Sequence, residues 1–222
     1  MASHLDLEEQ EQLDQLKAFW KRWGNLLTWV LTAALAAFAA WQGWNWYQRE
    51  QAAKAAAMYE EFDRALTAQD ADKAAAAAGD LKTRYAGTGY AAQAGLQVAK
   101  LQLDKGKADE AKQSLAWVAE QGSEAAYRDL ARLRLAGLQL DAKAFDEATK
   151  TLDAIKSPEF AALVADRRGD ALLLQDKRDA AKAEYQKALV GLEKTQDYRR
   201  IVEAKLATLG VPTAVETTGA AQ

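Results

Sequence analysis

Twenty-six consecutive residues without a charge, Trp23 to Gln48, constrain this chain more than any other feature. The stretch reads WGNLLTWVLTAALAAFAAWQGWNWYQ and lies between Arg22 and Arg49. As a helix it rises roughly 39 Å, enough to cross a hydrocarbon core about 30 Å thick with some tilt. Six of the seven tryptophans lie in or beside it: Trp20 and Trp23 at its start, Trp29 within, and Trp41, Trp44 and Trp46 at its end. An indole settles at headgroup level, where its apolar body and its N–H donor are both accommodated. The expectation is therefore a membrane span with interface belts at Trp20, Trp23, Trp41, Trp44 and Trp46. A buried helix of a soluble core would need a large surrounding core, and the rest of the chain shows no sign of one. A cleaved signal peptide is the other alternative, because Ala34-Leu35-Ala36 and Ala37-Phe38-Ala39 fit the small-x-small cleavage pattern. The 22 residues ahead of the span are long and partly acidic for such a leader, and the apolar run continues past both sites. An uncleaved signal-anchor is favoured.

The flanks address orientation. Residues 1–22 carry five acids and three bases (Lys17, Lys21 and Arg22), with the bases crowded against the span. Arg49, Lys54 and Arg64 stand on the other side, so the positive-inside rule leans only slightly toward a cytoplasmic N-terminus. A short tail, one span and a long domain is the usual signal-anchor arrangement and leans the same way. The expected organisation is a cytoplasmic tail (1–22), a transmembrane helix (23–48), one domain (49–210) and a flexible C-terminal tail (211–222). The whole chain has 29 basic and 32 acidic residues; without the tail's three and five, 26 and 27 remain, a net charge near −1. Nucleic-acid binders carry a clustered basic excess, and its absence overall speaks against that class. Mean hydropathy is −0.35 despite the span, so the remainder is water-compatible.

Everything after Arg49 reads as helix. Proline occurs only at 158 and 212, alanine is abundant, and period-two strand patterns are absent. The expected helices are 49–68, 71–85, 90–104, 108–121, 124–141, 145–156, 158–174, 178–194 and 197–209. Breaks fall at Gln69-Asp70, Gly87-Thr88-Gly89, Lys105-Gly106-Lys107, Gln121-Gly122-Ser123 and Asp141-Ala142-Lys143. Ser157-Pro158 reads as a helix start, with Ser157 accepting from an orphan amide and proline at the first position. Self-comparison reveals a repeat: Ala74, Ala111, Ala148 and Ala181 each close a short similar segment, at spacings of 37, 37 and 33. Twelve residues upstream stand Phe62, Ala99, Ala136 and Gly169; four downstream stand Ala78, Leu115, Leu152 and Tyr185. Seven downstream come Leu81, Val118, Ile155 and Ala188. Two antiparallel helices per unit explain the offsets: a small residue on the first helix admits the second, and a larger one a turn later fills the gap. Such units cannot bury their faces singly, so they stack.

The segment Lys177 to Leu189, KRDAAKAEYQKAL, resembles the second helix of a tetratricopeptide repeat, with Gly169 at the small position of the first. The implied fold is all-α: one N-terminal transmembrane helix, then a tetratricopeptide-like α-solenoid of about four helix pairs and a C-terminal capping helix. The full arrangement is more specific. An acidic tail, Phe19-Trp20-Lys21-Arg22-Trp23-Gly24-Asn25 entering one span, Leu115-Ala116-Trp117-Val118, and Phe160 to Asp170 together resemble the YfgM-type ancillary subunits of the bacterial SecYEG translocon. That resemblance implies an inner-membrane anchor, a periplasmic domain, and work beside the translocon with a membrane-anchored, peptidyl-prolyl isomerase-like chaperone on newly translocated client proteins. Mapping the repeat family's groove-facing positions gives a candidate partner groove of Gln97, Lys100, Arg134, Arg167 and Asp170.

Chemistry is scarce. There is no cysteine and a single histidine, His4, so thiol catalysis and zinc or copper sites are hard to assemble and no metal or cofactor is expected. Carboxylates fall at helix-surface positions, as in Asp80-Arg84 and Asp146-Lys150, where weak solvated pairs are the ordinary reading. No nucleophile has a neighbouring base, so an enzyme is not expected. The peptide-carboxylate clamp of chaperone-binding repeats needs asparagine beside lysine and arginine, and no asparagine follows Asn45. Trp117, alone outside the membrane region, is either core or an exposed anchor for a partner. Two functions stay open: a membrane-anchored scaffold at the translocon, or a periplasmic adaptor for envelope assembly or cell division, released by cleavage after Ala36 or Ala39.

Overall fold

The computed structural model describes residues 7–193 and 197–211, with side chains from residue 11 on. His4 and the tail from Pro212 lie outside the described residues. Among those residues the order is α1 (Leu7–Thr67), α2 (Ala71–Arg84), α3 (Gly89–Asp104), α4 (Ala108–Gln121), α5 (Ala125–Asp141), α6 (Phe145–Asp153), a 3-10 turn (Pro158–Phe160), α7 (Ala161–Leu174), α8 (Arg178–Gly191) and α9 (Asp197–Thr208). No strand occurs among them. The contacts divide the chain into two units, one ending at Gln51 and one beginning at Ala52.

The first unit is α1 up to Gln51, and it is the one described helix long and apolar enough to cross a membrane. Trp20, Trp23, Trp29, Trp41, Trp44 and Trp46 are each between 45% and 69% exposed, so no protein core takes them up. Its threonine hydroxyls are satisfied locally: Thr28 Oγ1 donates to the Gly24 carbonyl and Thr32 Oγ1 to that of Thr28, both at 2.8 Å. Gly24 is buried beneath the Trp20 indole, whose ring atoms would lie 3.2 Å from a side chain there. The expected helix 49–68 continues the expected span 23–48 without interruption. Charges resume at Arg49, but charge is not a helix breaker, and no glycine or proline stands between Gly43 and Thr67.

The second unit is the solenoid. The C-terminal part of α1 pairs with α2, then α3 with α4, α5 with α6 and α7 with α8, while α9 closes the stack. All four repeat alanines, Ala74, Ala111, Ala148 and Ala181, are completely buried. So are Phe62 and Ala136 upstream, and Leu152 and Tyr185 downstream. A Cβ on Gly169 would lie 2.5 Å from Tyr185 Cε1, which shows why the last unit needs glycine where its phenol sits. The core is a chain of small clusters between successive helices, the first holding Phe62, Ala74, Leu81 and Val98, the next Ala99, Ala111, Leu115 and Ala131. Trp117 resolves as neither alternative alone: half-buried, it packs against both of these clusters, and Lys82 Nζ lies 5.3 Å above its ring.

One turn recurs within the pairs. Gln69, Gly106, Lys143 and Asp176 all adopt positive φ, between 57° and 76°, and Gly210 repeats it after α9. At each position the next residue's amide reaches back to an orphan carbonyl of the first helix, as Lys107 does to Gln102 and Ala144 to Gln139, both at 2.8 Å. Asp70 then caps α2 by accepting from the Lys73 amide at 3.1 Å, and Thr88 caps α3 through the Ala91 amide. Ser157 does not cap. Its hydroxyl and amide both donate to Asp129 Oδ2, at 2.6 and 3.2 Å, because a carboxylate buried on α5 is a stronger acceptor than a local amide is a donor. Arg132 Nη1 donates to the other oxygen at 2.6 Å. Burial opposes ionisation of Asp129, yet these Ser157 and Arg132 bonds hold its carboxyl below the usual range. Proline at the first position of the 3-10 turn is as expected.

Candidate partner-binding groove

The first helices α3, α5 and α7 line a cavity of about 710 Å³. Their facing residues follow one helical rule. Leu96, Ala99, Lys100 and Leu103 come from α3; Arg134, Gly137, Leu138 and Asp141 from α5; and Arg167, Asp170 and Leu174 from α7. Spacings of three and four residues put each set on one helix face. The lining is a leucine surface crossed by charges. Leu174 is 57% exposed.

Four of the five anticipated groove residues, Lys100, Arg134, Arg167 and Asp170, are brought together on this cavity. Gln97 is not among its lining: its amide donates to the Tyr59 hydroxyl of α1 at 2.8 Å. That partner lies 38 residues away on the preceding first helix, and nothing in the local sequence announces it. Arg134 Nη1 reaches the Leu96 carbonyl at 3.3 Å and so ties α5 to α3. Arg167 Nη1 donates to Asp170 Oδ2 at 3.1 Å, while its buried Nε has no acceptor.

Behind Asp170 lies a group the repeat comparison missed. Asp166, one turn earlier on α7, is completely buried and accepts from Tyr198 at 2.6 Å and from Lys205 at 2.8 and 2.9 Å. Asp170 Oδ1 accepts from Lys205 at 2.7 Å and from Tyr185 at 2.8 Å. Burial, and then the Asp170 carboxylate, push the Tyr185 phenol far above its ordinary range; burial and Asp166 do the same to Tyr198. Both hydroxyls therefore stay protonated donors. The available signal was the i, i+4 pair of acids beside the small Gly169, but its cationic partner is 35 residues downstream. Arrangements of this kind bind and orient. No nucleophile sits beside a base in the cavity.

Among the described residues, a long unburied apolar helix followed by stacked helix pairs with an inner groove defines an α-solenoid of the tetratricopeptide class. Comparison with known proteins agrees: the tetratricopeptide repeat-like domain family matches residues 17–211. A curated relative from Neisseria gonorrhoeae (strain ATCC 700825 / FA 1090), described as an ancillary SecYEG translocon subunit, is 30% identical over 210 residues, covering 94% of this chain and all of the relative. The chain belongs to the tetratricopeptide repeat-like domain family, on the branch of the ancillary SecYEG translocon subunits.

Proposed function

We propose that this protein is a membrane-anchored interaction scaffold of the bacterial inner membrane that associates with the SecYEG translocon. The observation that carries the reading is the match to the Neisseria ancillary subunit along nearly the whole of both chains, span and repeats together. On this reading the tryptophans flanking 23–48 sit at the two membrane interfaces, the tail 1–22 is cytoplasmic and the helix-pair domain is periplasmic. There the domain meets a membrane-anchored, peptidyl-prolyl isomerase-like chaperone and newly translocated proteins. Its contribution is contact and not catalysis, made through the groove of Lys100, Arg134, Arg167 and Asp170. Anchorage raises effective concentration beside other membrane proteins without any new contact, and a domain of near-zero net charge gains little from long-range steering.

Two measurements test this. Alkaline phosphatase fused after Gln222 is expected to be active; an inactive fusion beside a fluorescent cytoplasmic-reporter fusion overturns the orientation. In mild detergent the full-length protein is expected to copurify with the translocon. Exchanging residues 23–48 for an unrelated spanning helix then separates two versions of anchorage. Simple tethering retains the copurification, and a specific contact within the bilayer loses it.

A further inference from the structure

Asp170 belongs to two places at once. One oxygen faces the groove and accepts from Arg167; the other faces α9 and accepts from Lys205. Lys205 also holds Asp166, so two carboxylates and two cations form one cluster of zero net charge, half in the groove wall and half behind it. Without the ammonium, Asp166 and Asp170 would outweigh Arg167 and leave the groove wall negative there. With it the two carboxylates and two cations offset one another, and the wall's charge is set by the remaining groups. Arg167 has five N–H donors, yet only one has an acceptor among the described residues. Lys100 and Arg134 bring two further cations that make no ion pair among those residues, against one opposing carboxylate, Asp141. Between the charges lie Leu96, Leu103, Leu138 and Leu174.

Resting on the groove reading above, we infer that the cavity takes a partner segment that carries carboxylates among apolar side chains, an acidic amphipathic segment. Lys205, partly buried behind the groove, is a positioning residue that sets this charge preference by offsetting one of the two α7 carboxylates. The leucines accept the apolar side chains. The three cations, one from each of three successive first helices, accept the carboxylates.

The test uses full-length protein in detergent and two fluorescein-labelled peptides of one leucine pattern, one with glutamates and one with lysines between the leucines. Anisotropy titration is expected to show the glutamate peptide binding more tightly, by about fivefold or more. Lys205→Met weakens that binding roughly two- to fivefold, as expected for one partly screened charge. Adding Asp170→Asn to Lys205→Met restores it, and Lys205→Arg preserves it. A structural role for Lys205 predicts no restoration, since Asp170→Asn removes a further bond. Should Lys205→Met fold poorly, Asp170→Asn alone decides: it removes a negative charge from the groove and must tighten the glutamate peptide. Equal binding of the two peptides, or no gain with Asp170→Asn, overturns the inference. Translocon copurification is scored separately. If it persists while the peptides bind alike, this inference alone fails; if it is lost while the charge preference holds, the functional reading alone fails.

Discussion

The first and last helix pairs solve the same contact with opposite sizes. In the first pair the large residue is Phe62, on the first helix, and the position it faces on the second carries Ala78. In the last pair the first helix has shrunk to Gly169 and the second carries Tyr185. The middle pairs use alanine and leucine, Ala99 with Leu115 and Ala136 with Leu152, and every one of these residues is buried. What the repeats keep is the filled space at a joint, not the residue at a position. Close packing requires this, because interiors tolerate neither gaps nor added volume. The tyrosine version adds something the phenylalanine version lacks: a hydroxyl that reaches Asp170 and links the joint to the groove.

That contrast can be broken most severely at Phe62. Phe62→Ala removes a completely buried ring and is expected to cost about 3–5 kcal/mol, read as a lowered melting temperature of the full-length protein in detergent. Adding Ala78→Phe moves the volume to the other helix, as in the last pair, and is expected to recover a substantial part. No recovery would mean that position matters and not volume. A smaller effect belongs to the repeat alanines. Ala148→Leu overfills a joint with no spare space and is expected to destabilise by about 1–3 kcal/mol. Ala142→Leu, exposed just after α5, is expected to stay within about 0.5 kcal/mol. Equal effects at 142 and 148 would show that the register is wrong. The smallest effect lies in the turns. Lys143 holds a φ of 59° where the preceding unit has Gly106. Lys143→Gly is expected to stabilise by about 0.5 kcal/mol, the relief of a left-handed backbone less the added chain entropy.

These sizes bear on what could be read from the chain itself. The register was legible because Ala74, Ala111, Ala148 and Ala181 recur at constant offsets from their joint partners, and burial follows helical period. The long apolar helix left unburied was legible because charge is excluded over 26 residues. At residue 48 the solvent preference changes and the backbone preference does not, so α1 runs on. Ser157, Gln97 and Asp170 were misplaced or half-understood for a common reason. Each is settled by a partner far along the chain: Asp129 at 28 residues, Tyr59 at 38 and Lys205 at 35. Local patterns report which face a residue occupies, but the choice among distant polar partners is made only when the helices stack.

Helix α6 has nine residues, whereas α2, α4 and α8 each have 14. The left-handed residues Lys143 and Asp176 are accordingly 33 apart, not the 37 that separate the preceding ones. The shortening lies at the far end of α6, beyond Ala148 and Leu152, so both keep their inward direction. The extended residues before Pro158 and the turn at Asp176 then uncouple its rotation from α8, where Ala181 and Tyr185 still face inward. Length inside such a unit is thus adjustable at the helix ends, where a turn absorbs the change of phase, and fixed between the alanine and its partner four residues on, where nothing can absorb it.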